Sequence, residues 1–176
     1  YQHFKAIATS TNLPCILYNV PSRTITNLES ATTARLSEID NIVGIKEASG
    51  DLAQIARIHT STNTDFKIWS GNDSDTYPLV SLGGYGVVSV ASHLVGKQIK
   101  EIIQLTLDED VAAAQEKHLE LMPLFTGLFW MSNPIPVKYA LNKVGVYVGQ
   151  PCLPLVAPDE KEAAQIDKLL SMYEID

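Results

Sequence analysis

Short apolar runs alternate with stretches of helical spacing along the first part of the chain. Four such runs recur: Pro14 to Val20, Ile42 to Glu47, Phe66 to Ser70 and Gly86 to Ala91. Each run is nearly continuous in apolar residues, which is typical of parallel strands that are covered on both faces. Because a helical pattern fills every gap between the runs, the sequence predicts an α/β fold with a parallel sheet.

The last third of the chain has a different pattern, in which no further strand is predicted. Residues 111–131 have helical spacing and many large apolar residues, and Pro123 is expected to bend or interrupt this helix. Two more helices are predicted before the end of the chain. We therefore divide the sequence into a strand-helix part, residues 1–107, and a helical extension, residues 108–176.

Two architectures agree with these elements. One is a small doubly wound sheet, and the other is the second half of a (β/α)8 barrel followed by the helical extension. A whole barrel takes roughly 250 residues, so a chain of 176 residues would form only part of one. The pattern of elements does not separate the two architectures.

Composition and charge exclude several classes of function. Hydrophobic residues make up 45% of the chain and the net charge is -7, so a core can form but a basic surface for nucleic acid is not expected. No run of about 18 apolar residues is present, so no membrane span is predicted. Cys15 and Cys152 are far apart and are interpreted as reduced thiols, which favours a cytoplasmic location.

Lys46 is the most informative polar residue, because it lies near the end of the apolar run that begins at Ile42. Low-dielectric surroundings favour the neutral amine over the ammonium ion. A neutral lysine amine is a nucleophile that forms Schiff bases with carbonyl substrates. The sequence therefore predicts an enzyme that acts on a keto compound through a buried Lys46.

Tyr18 and Arg23 are the predicted partners of Lys46. Active sites of parallel α/β folds lie at the carboxyl ends of the strands, so Tyr18 and Lys46 are expected at the same end of neighbouring strands. A phenol beside an amine can transfer protons during imine formation. Arg23 lies in the following loop and could bind a carboxylate with two parallel hydrogen bonds.

Other polar or glycine-rich segments do not form a recognised metal or nucleotide site. Residues 83–86 contain glycines that precede a strand rather than follow one, which excludes a dinucleotide fingerprint. The histidines lack metal-ligand spacing, and His59 and His118 are expected at a surface or facing a partner. Residues 70–75 are interpreted either as a loop of the site or as a simple helix cap.

Five segments resemble those of the dihydrodipicolinate synthase family. They are Tyr18 to Thr24, Gly44 to Asp51, Ser70 to Asp73, Gly84 to Val90 and Asn133 to Lys138. The resemblance extends through essentially the whole chain. It implies the C-terminal part of a TIM (β/α)8 barrel, with about four parallel strands, followed by an all-helical extension.

The resemblance also implies a reaction, in which pyruvate and L-aspartate-4-semialdehyde condense to 4-hydroxy-tetrahydrodipicolinate for diaminopimelate and lysine biosynthesis, without an organic cofactor or a metal. By resemblance, Lys46 forms the Schiff base and Tyr18 relays protons. Arg23 would hold the carboxylate of the semialdehyde, and the carbonyl of Val88 would help to place pyruvate. The substrate-binding residues that the resemblance implies are Arg23, Val88, Gly71 and Asn72.

The expected assembly and the start of the chain also follow from the resemblance. The whole protein is expected to be a homo-oligomer, a tetramer of tight dimers. The chain begins at Tyr1 without a methionine, so we expect a fragment that lacks its N-terminal part. The missing part would carry the family's Thr-Thr pair and a tyrosine offered across the dimer interface, so we expect the fragment to be inactive or weak alone.

Two alternative functions remain. A pyruvate-dependent sugar-acid aldolase, such as an N-acetylneuraminate lyase, shares the lysine and the tyrosine but usually lacks the Ser22-Arg23 pair. The other alternative is a non-catalytic half-barrel, in which Lys46 is a paired cation. Arg23 is the residue that distinguishes the synthase from the aldolase.

Overall fold

The computed structural model of the protein describes residues 1–175, and within them a four-stranded parallel sheet forms in the order β1-β2-β3-β4. The strands are β1 (Cys15–Asn19), β2 (Ile42–Glu47), β3 (Lys67–Ser70) and β4 (Gly86–Val87). They lie within the four runs predicted from the sequence, which confirms the predicted α/β fold. The helices that connect them are α1 (Gln2–Thr9), α2 (Pro21–Thr24), α3 (Ser30–Leu36), α4 (Leu52–Ser61) and α5 (Thr76–Ser81).

The chain forms two compact units, residues 1–88 and the residues from Ser89 onward. The first unit contains the sheet, and the second contains α6 (Ser92–Leu107), α7 (Val111–Gly127), α8 (Ile135–Lys143) and α9 (Glu160–Leu170). The division between residues 107 and 108, which was drawn from the pattern of elements, stays a prediction.

One face of the sheet is covered by helices, and the other is open. Leu17, Ile45 and Ile68 are register partners across β1, β2 and β3 and are buried against the helices of the first unit. On the opposite face, Ile16 and Tyr18 are about half exposed, at 50% and 49%. The prediction that both faces are covered is therefore wrong for this chain, because four strands cannot close into a barrel whose interior would cover the second face.

Two helix predictions also need correction. Residues 26–29 have the residue types of a capping box, which predicts a helix start at Thr26, but α3 begins at Ser30 with Glu29 as its N-cap. Pro123 lies inside the continuous helix α7 and does not interrupt it. His118, on the same helix, is buried rather than at the surface, and its ring lies 5.7 Å from that of Phe125.

Helices α8 and α9 of the second unit are joined by a polar cluster. The Lys143 Nζ donates to Asp167 Oδ2 at 2.7 Å, and the Tyr139 hydroxyl donates to Asp167 Oδ1 at 3.1 Å. The hydrogen bond from Lys143 lowers the pKa of the Asp167 carboxyl. The same bond raises the pKa of Lys143. This cluster fixes the closing helix on the preceding one.

Gly44 allows β2 and β3 to approach each other closely on the open face. A Cβ added at Gly44 would overlap the carbonyl oxygen of Lys67 and lie 2.6 Å from Cζ3 of Trp69. Because the overlap involves backbone, the strands themselves would have to move apart. We expect Gly44→Ala to lower the free energy of unfolding in urea by about 3 kcal/mol, the upper end of what overpacking costs.

Gly50→Ala serves as the comparison for this substitution. A Cβ at Gly50 meets no atom within 4 Å, but the residue has a φ of 75°, so only backbone strain is added. We expect a loss of about 1 kcal/mol for Gly50→Ala. Equal losses for the two variants would show that the contact between β2 and β3 at Gly44 does not limit stability.

Candidate active site at the carboxyl end of the sheet

Tyr18 and Lys46 lie at the carboxyl ends of neighbouring strands, as the sequence predicts. They are register partners in the parallel pair of β1 and β2, so their side chains emerge on the same face of the sheet. Trp69 of β3 is the register partner of Lys46 on its other side. The three side chains therefore form one row across the open face.

The amine of Lys46 lies against the ring of Tyr18. The Lys46 Nζ is 4.3 Å from the centroid of the Tyr18 ring, a distance at which a cation is attracted to the face of an aromatic ring. Lys46 is half-buried rather than fully buried, because it projects from the open face of the sheet. The predicted proximity of the two groups is confirmed, and the predicted full burial of the amine is wrong for this chain.

Gly71 leaves room beside the Lys46 side chain. A Cβ at Gly71 would lie 2.6 Å from Cβ of Ala48 and 3.2 Å from Cε of Lys46. The backbone N–H of Gly71 donates to the carbonyl of Glu47 at 2.7 Å, which fixes the loop after β3 against the end of β2. Gly71, one of the predicted substrate-binding residues, thus lies next to Lys46.

Asn72 is held in a turn by its own neighbours. Its Nδ2 donates to Asp75 Oδ2 at 2.8 Å, and its backbone N–H donates to Ser70 Oγ at 3.1 Å. Asn72 is the N-cap of a short 3-10 helix, Asp73–Asp75. Its side chain makes no capping hydrogen bond to this helix, so the interpretation of the loop as a helix cap applies to the position of Asn72 but not to its side-chain contact with Asp75.

Val88 directly follows β4, and Arg23 lies in α2, the short helix that follows β1. The N–H of Val88 donates to the carbonyl of Ser70 at 2.9 Å, which holds the chain after β4 at the same edge of the sheet. Arg23 is exposed in α2, and within residues 1–175 its guanidinium makes no hydrogen bond or ion pair. Arg23 is therefore free to bind an anion.

Glu47 is a buried carboxylate that sequence reasoning missed. It is only 1% exposed, and its oxygens accept hydrogen bonds from Asn19 Nδ2 at 3.0 Å, Gln54 Nε2 at 3.1 Å and the backbone N–H of Ser49 at 2.7 Å. The period-2 alternation of the strand is the signal that could have found it, because it places residue 47 on the covered face next to Lys46.

Metal and membrane signals are absent from the described part of the chain. Residues 1–175 contain no group of three or more His, Cys, Asp or Glu side chains placed to hold a metal ion. Over the same residues, every helix is too short or too polar to span a membrane.

Comparisons with known proteins agree with these observations. Residues 1–173 match the dihydrodipicolinate synthetase family. The 4-hydroxy-tetrahydrodipicolinate synthase of Dehalococcoides mccartyi is 57% identical over all of this chain and 59% of its own length. The corresponding enzyme of Heliobacterium modesticaldum is 49% identical over 100% of this chain and 59% of its own length. The chain therefore spans less than two thirds of the length of each of these relatives.

Solved structures give the same result for the fold. The dihydrodipicolinate synthase of Bacillus anthracis superposes with a TM-score of 0.96 at 42% identity, over 99% of this chain and 60% of that one. The enzyme of Cyanidioschyzon merolae, solved with lysine bound, gives a TM-score of 0.94 at 44% identity, over 97% of this chain and 58% of that one. The four-stranded sheet is thus part of a TIM barrel.

Proposed function

Because the chain belongs to the dihydrodipicolinate synthase family, we propose that Lys46 forms a Schiff base with pyruvate that then condenses with L-aspartate-4-semialdehyde. The product is 4-hydroxy-tetrahydrodipicolinate, an intermediate of lysine and diaminopimelate biosynthesis. The observation that carries the proposal is the amine of Lys46 at 4.3 Å from the ring of Tyr18, at the carboxyl end of a parallel sheet. Nucleophilic lysines of this kind act on carbonyl substrates.

Lys46 and Tyr18 have complementary roles in this proposal. The unprotonated amine adds to the keto carbon of pyruvate, and the resulting carbinolamine loses water to give the imine. The phenol of Tyr18 donates a proton to the departing hydroxyl and recovers one from the substrate, because its ring lies beside the amine. Loss of a proton from the methyl group of the imine gives an enamine, whose carbon attacks the aldehyde of the second substrate.

The remaining residues position the two substrates. Gly71, which lies beside the Lys46 side chain, helps to place pyruvate together with Asn72 and the backbone carbonyl of Val88. Arg23, which is exposed and unpaired within residues 1–175, binds the carboxylate of the semialdehyde. None of these roles requires a metal or an organic cofactor.

Reductive trapping tests the proposal directly. Pyruvate and borohydride convert the imine to a stable secondary amine, so the protein should gain the mass of one reduced pyruvyl group, and peptide mapping should locate it at Lys46. Omitting pyruvate gives the matched control. A folded protein that gains no mass at Lys46 would exclude both the synthase and the aldolase and leave the non-catalytic half-barrel.

Arg23→Ala separates the synthase from a sugar-acid aldolase. If the chain uses the semialdehyde, adding that substrate should consume the pyruvate adduct and protect Lys46 from trapping. Loss of a charge-assisted hydrogen bond should raise the semialdehyde concentration needed for protection about 10- to 100-fold in Arg23→Ala.

Arg57→Ala is the control for Arg23→Ala. Arg57 is also a surface arginine, but it lies on α4, where its guanidinium is 3.5 Å from the carboxylate of Asp51. We expect Arg57→Ala to need the same semialdehyde concentration for protection of Lys46 as the unsubstituted protein. An unchanged curve for Arg23→Ala would favour the aldolase, whose substrate does not need this arginine.

The proposed assembly is a homo-oligomer in the cytoplasm, with the whole protein a tetramer of tight dimers. It rests on membership of the family. Light scattering on the whole protein should give four times the protomer mass at micromolar concentration. A monomer mass under the same conditions would contradict it.

A further inference from the structure

The buried carboxylate of Glu47 lies directly behind the row formed by Tyr18 and Lys46. Asn19 and Glu47 are register partners one residue beyond Tyr18 and Lys46, and their side chains lie on the covered face of the sheet. Each site residue is thus followed by a buried polar residue on the same strand. The Asn19–Glu47 hydrogen bonds, at 3.0 Å to both carboxylate oxygens, connect the two strands at the level of the site.

The charge of Glu47 is balanced by neutral donors alone. Its hydrogen-bond donors within residues 1–175 are one side-chain amide of Asn19, one of Gln54 and the N–H of Ser49. A buried carboxylate without these bonds would be strongly unfavourable. The arrangement is therefore stable only if all these donors keep their positions.

A second layer of amides fixes the donors themselves. The Asn27 Oδ1 accepts from Asn19 Nδ2 at 2.9 Å and from Gln54 Nε2 at 3.2 Å. The Asn27 Nδ2 donates to Gln54 Oε1 at 2.8 Å, and Asn19 Oδ1 accepts from the N–H of Leu28 at 2.9 Å. The network thus joins the end of β1, the loop before α3, the end of β2 and the first turn of α4.

Tyr18 and Lys46 have no comparable support on their own face. Tyr18 is 49% exposed and Lys46 is half-buried, so within residues 1–175 little packing on this face determines their separation. The register of β1 and β2 determines it, and the Glu47 network holds that register at its carboxyl end. Backbone bonds at the same level, from Ala48 N–H to the Asn19 carbonyl at 2.8 Å, also depend on this alignment.

We propose that Glu47 is a positioning residue that holds Tyr18 and Lys46 in register for Schiff-base formation. The carboxylate acts through the backbone of β1 and β2 and does not touch substrate. The role of Glu47 in Schiff-base formation rests on the proposed function, whereas its role in holding Tyr18 and Lys46 side by side does not. Two readouts therefore test it, one that needs pyruvate and one that does not.

The first readout is the nuclear magnetic resonance of the Lys46 ε-methylene group in the absence of substrate. The ring of Tyr18 displaces this resonance upfield because Nζ lies 4.3 Å from the ring centroid. The resonance that disappears in Lys46→Arg is assigned to the Lys46 ε-methylene group. Its chemical shift in Tyr18→Leu gives the value without the aromatic ring. The displacement therefore measures how closely the two side chains are held.

Glu47→Gln is the diagnostic variant. It keeps the size of the side chain but turns one acceptor oxygen into an NH2 group, which faces the donors of Asn19 or Gln54. We expect the upfield displacement to fall by at least about half. At saturating pyruvate we expect the rate of trapping to fall about 10- to 100-fold, the scale of a small misplacement of reacting groups, with little change in the half-saturating pyruvate concentration.

Other outcomes are equally decisive. An unchanged displacement in folded Glu47→Gln would overturn the proposal. If Glu47→Gln does not fold, Asn27→Ala removes only the second layer and should reduce the displacement partly, and no reduction there would also overturn it. Absence of a pyruvate adduct in the unsubstituted protein would count against the proposed function alone, because the displacement is measured without pyruvate.

Discussion

Lys46→Arg is expected to abolish the pyruvate adduct completely while the protein stays folded. A guanidinium keeps the positive charge and can still lie over the Tyr18 ring, which is 4.3 Å from the lysine amine. Its pKa is too high for a neutral nucleophile to form, so no imine is available to borohydride. Intact-mass measurement after trapping should therefore give the mass of the Lys46→Arg protein alone, without an added pyruvyl group.

Lys67→Arg is the matched control for this experiment. Lys67 lies on β3, and its amine is 5.9 Å from the ring centroid of Tyr85, so it is a second lysine beside an aromatic ring in the same sheet. Its amine donates to the Thr64 carbonyl at 3.0 Å and lies at the start of the strand rather than at its carboxyl end. Full trapping in this variant, together with none in Lys46→Arg, would assign the chemistry to position 46. Trapping retained in Lys46→Arg would exclude Lys46 as the nucleophile.

Tyr18→Phe has the second largest expected effect. The ring and its contact with the Lys46 amine remain, so stability and the position of the amine should change little. Only the hydroxyl that exchanges protons is lost. Because general acid–base catalysis contributes typically 10²–10⁴-fold, we expect the rate of trapping at saturating pyruvate to fall by about that factor.

Tyr85→Phe shows what loss of a phenol does away from the proposed site. Tyr85 packs edge-to-face on Trp69 with ring centroids 5.4 Å apart and is 60% exposed. The rate of trapping in Tyr85→Phe should equal that of the unsubstituted protein. If Tyr18→Phe also trapped at the full rate, proton transfer would have to be assigned to water or to another residue.

The sequence predicts the order of elements and the row of site residues well, because both depend on local chain chemistry. An apolar run that contains one lysine indicates a strand with a special position, and parallel strands bring Tyr18 and Lys46 to one edge. The start of α3 was predicted less well. Thr26 has the residue type of a cap, but its hydroxyl makes no cap hydrogen bond, and the helix begins four residues later at Ser30.

Burial and side-chain networks could not be predicted from the pattern. The half-burial of Lys46 depends on how many strands the sheet has and on what covers its second face, which are properties of the assembled sheet. The network around Glu47 joins residues 19, 27, 47 and 54, which are separated in sequence and meet only after β1 and β2 pair. Polar residues in a strand look alike in the sequence whether they face solvent or one another.

Trp69 makes the site visible to optical measurement. Its indole lies in the row beside Lys46, edge-on to Tyr85, with Gly44 leaving room for its ring. The chain has two tryptophans, and the other, Trp130, belongs to the second unit. The fluorescence emission of Trp130 can be removed with the substitution Trp130→Phe. Changes in indole emission on adding pyruvate then follow the filling of the site in real time, without any label or coupled reaction.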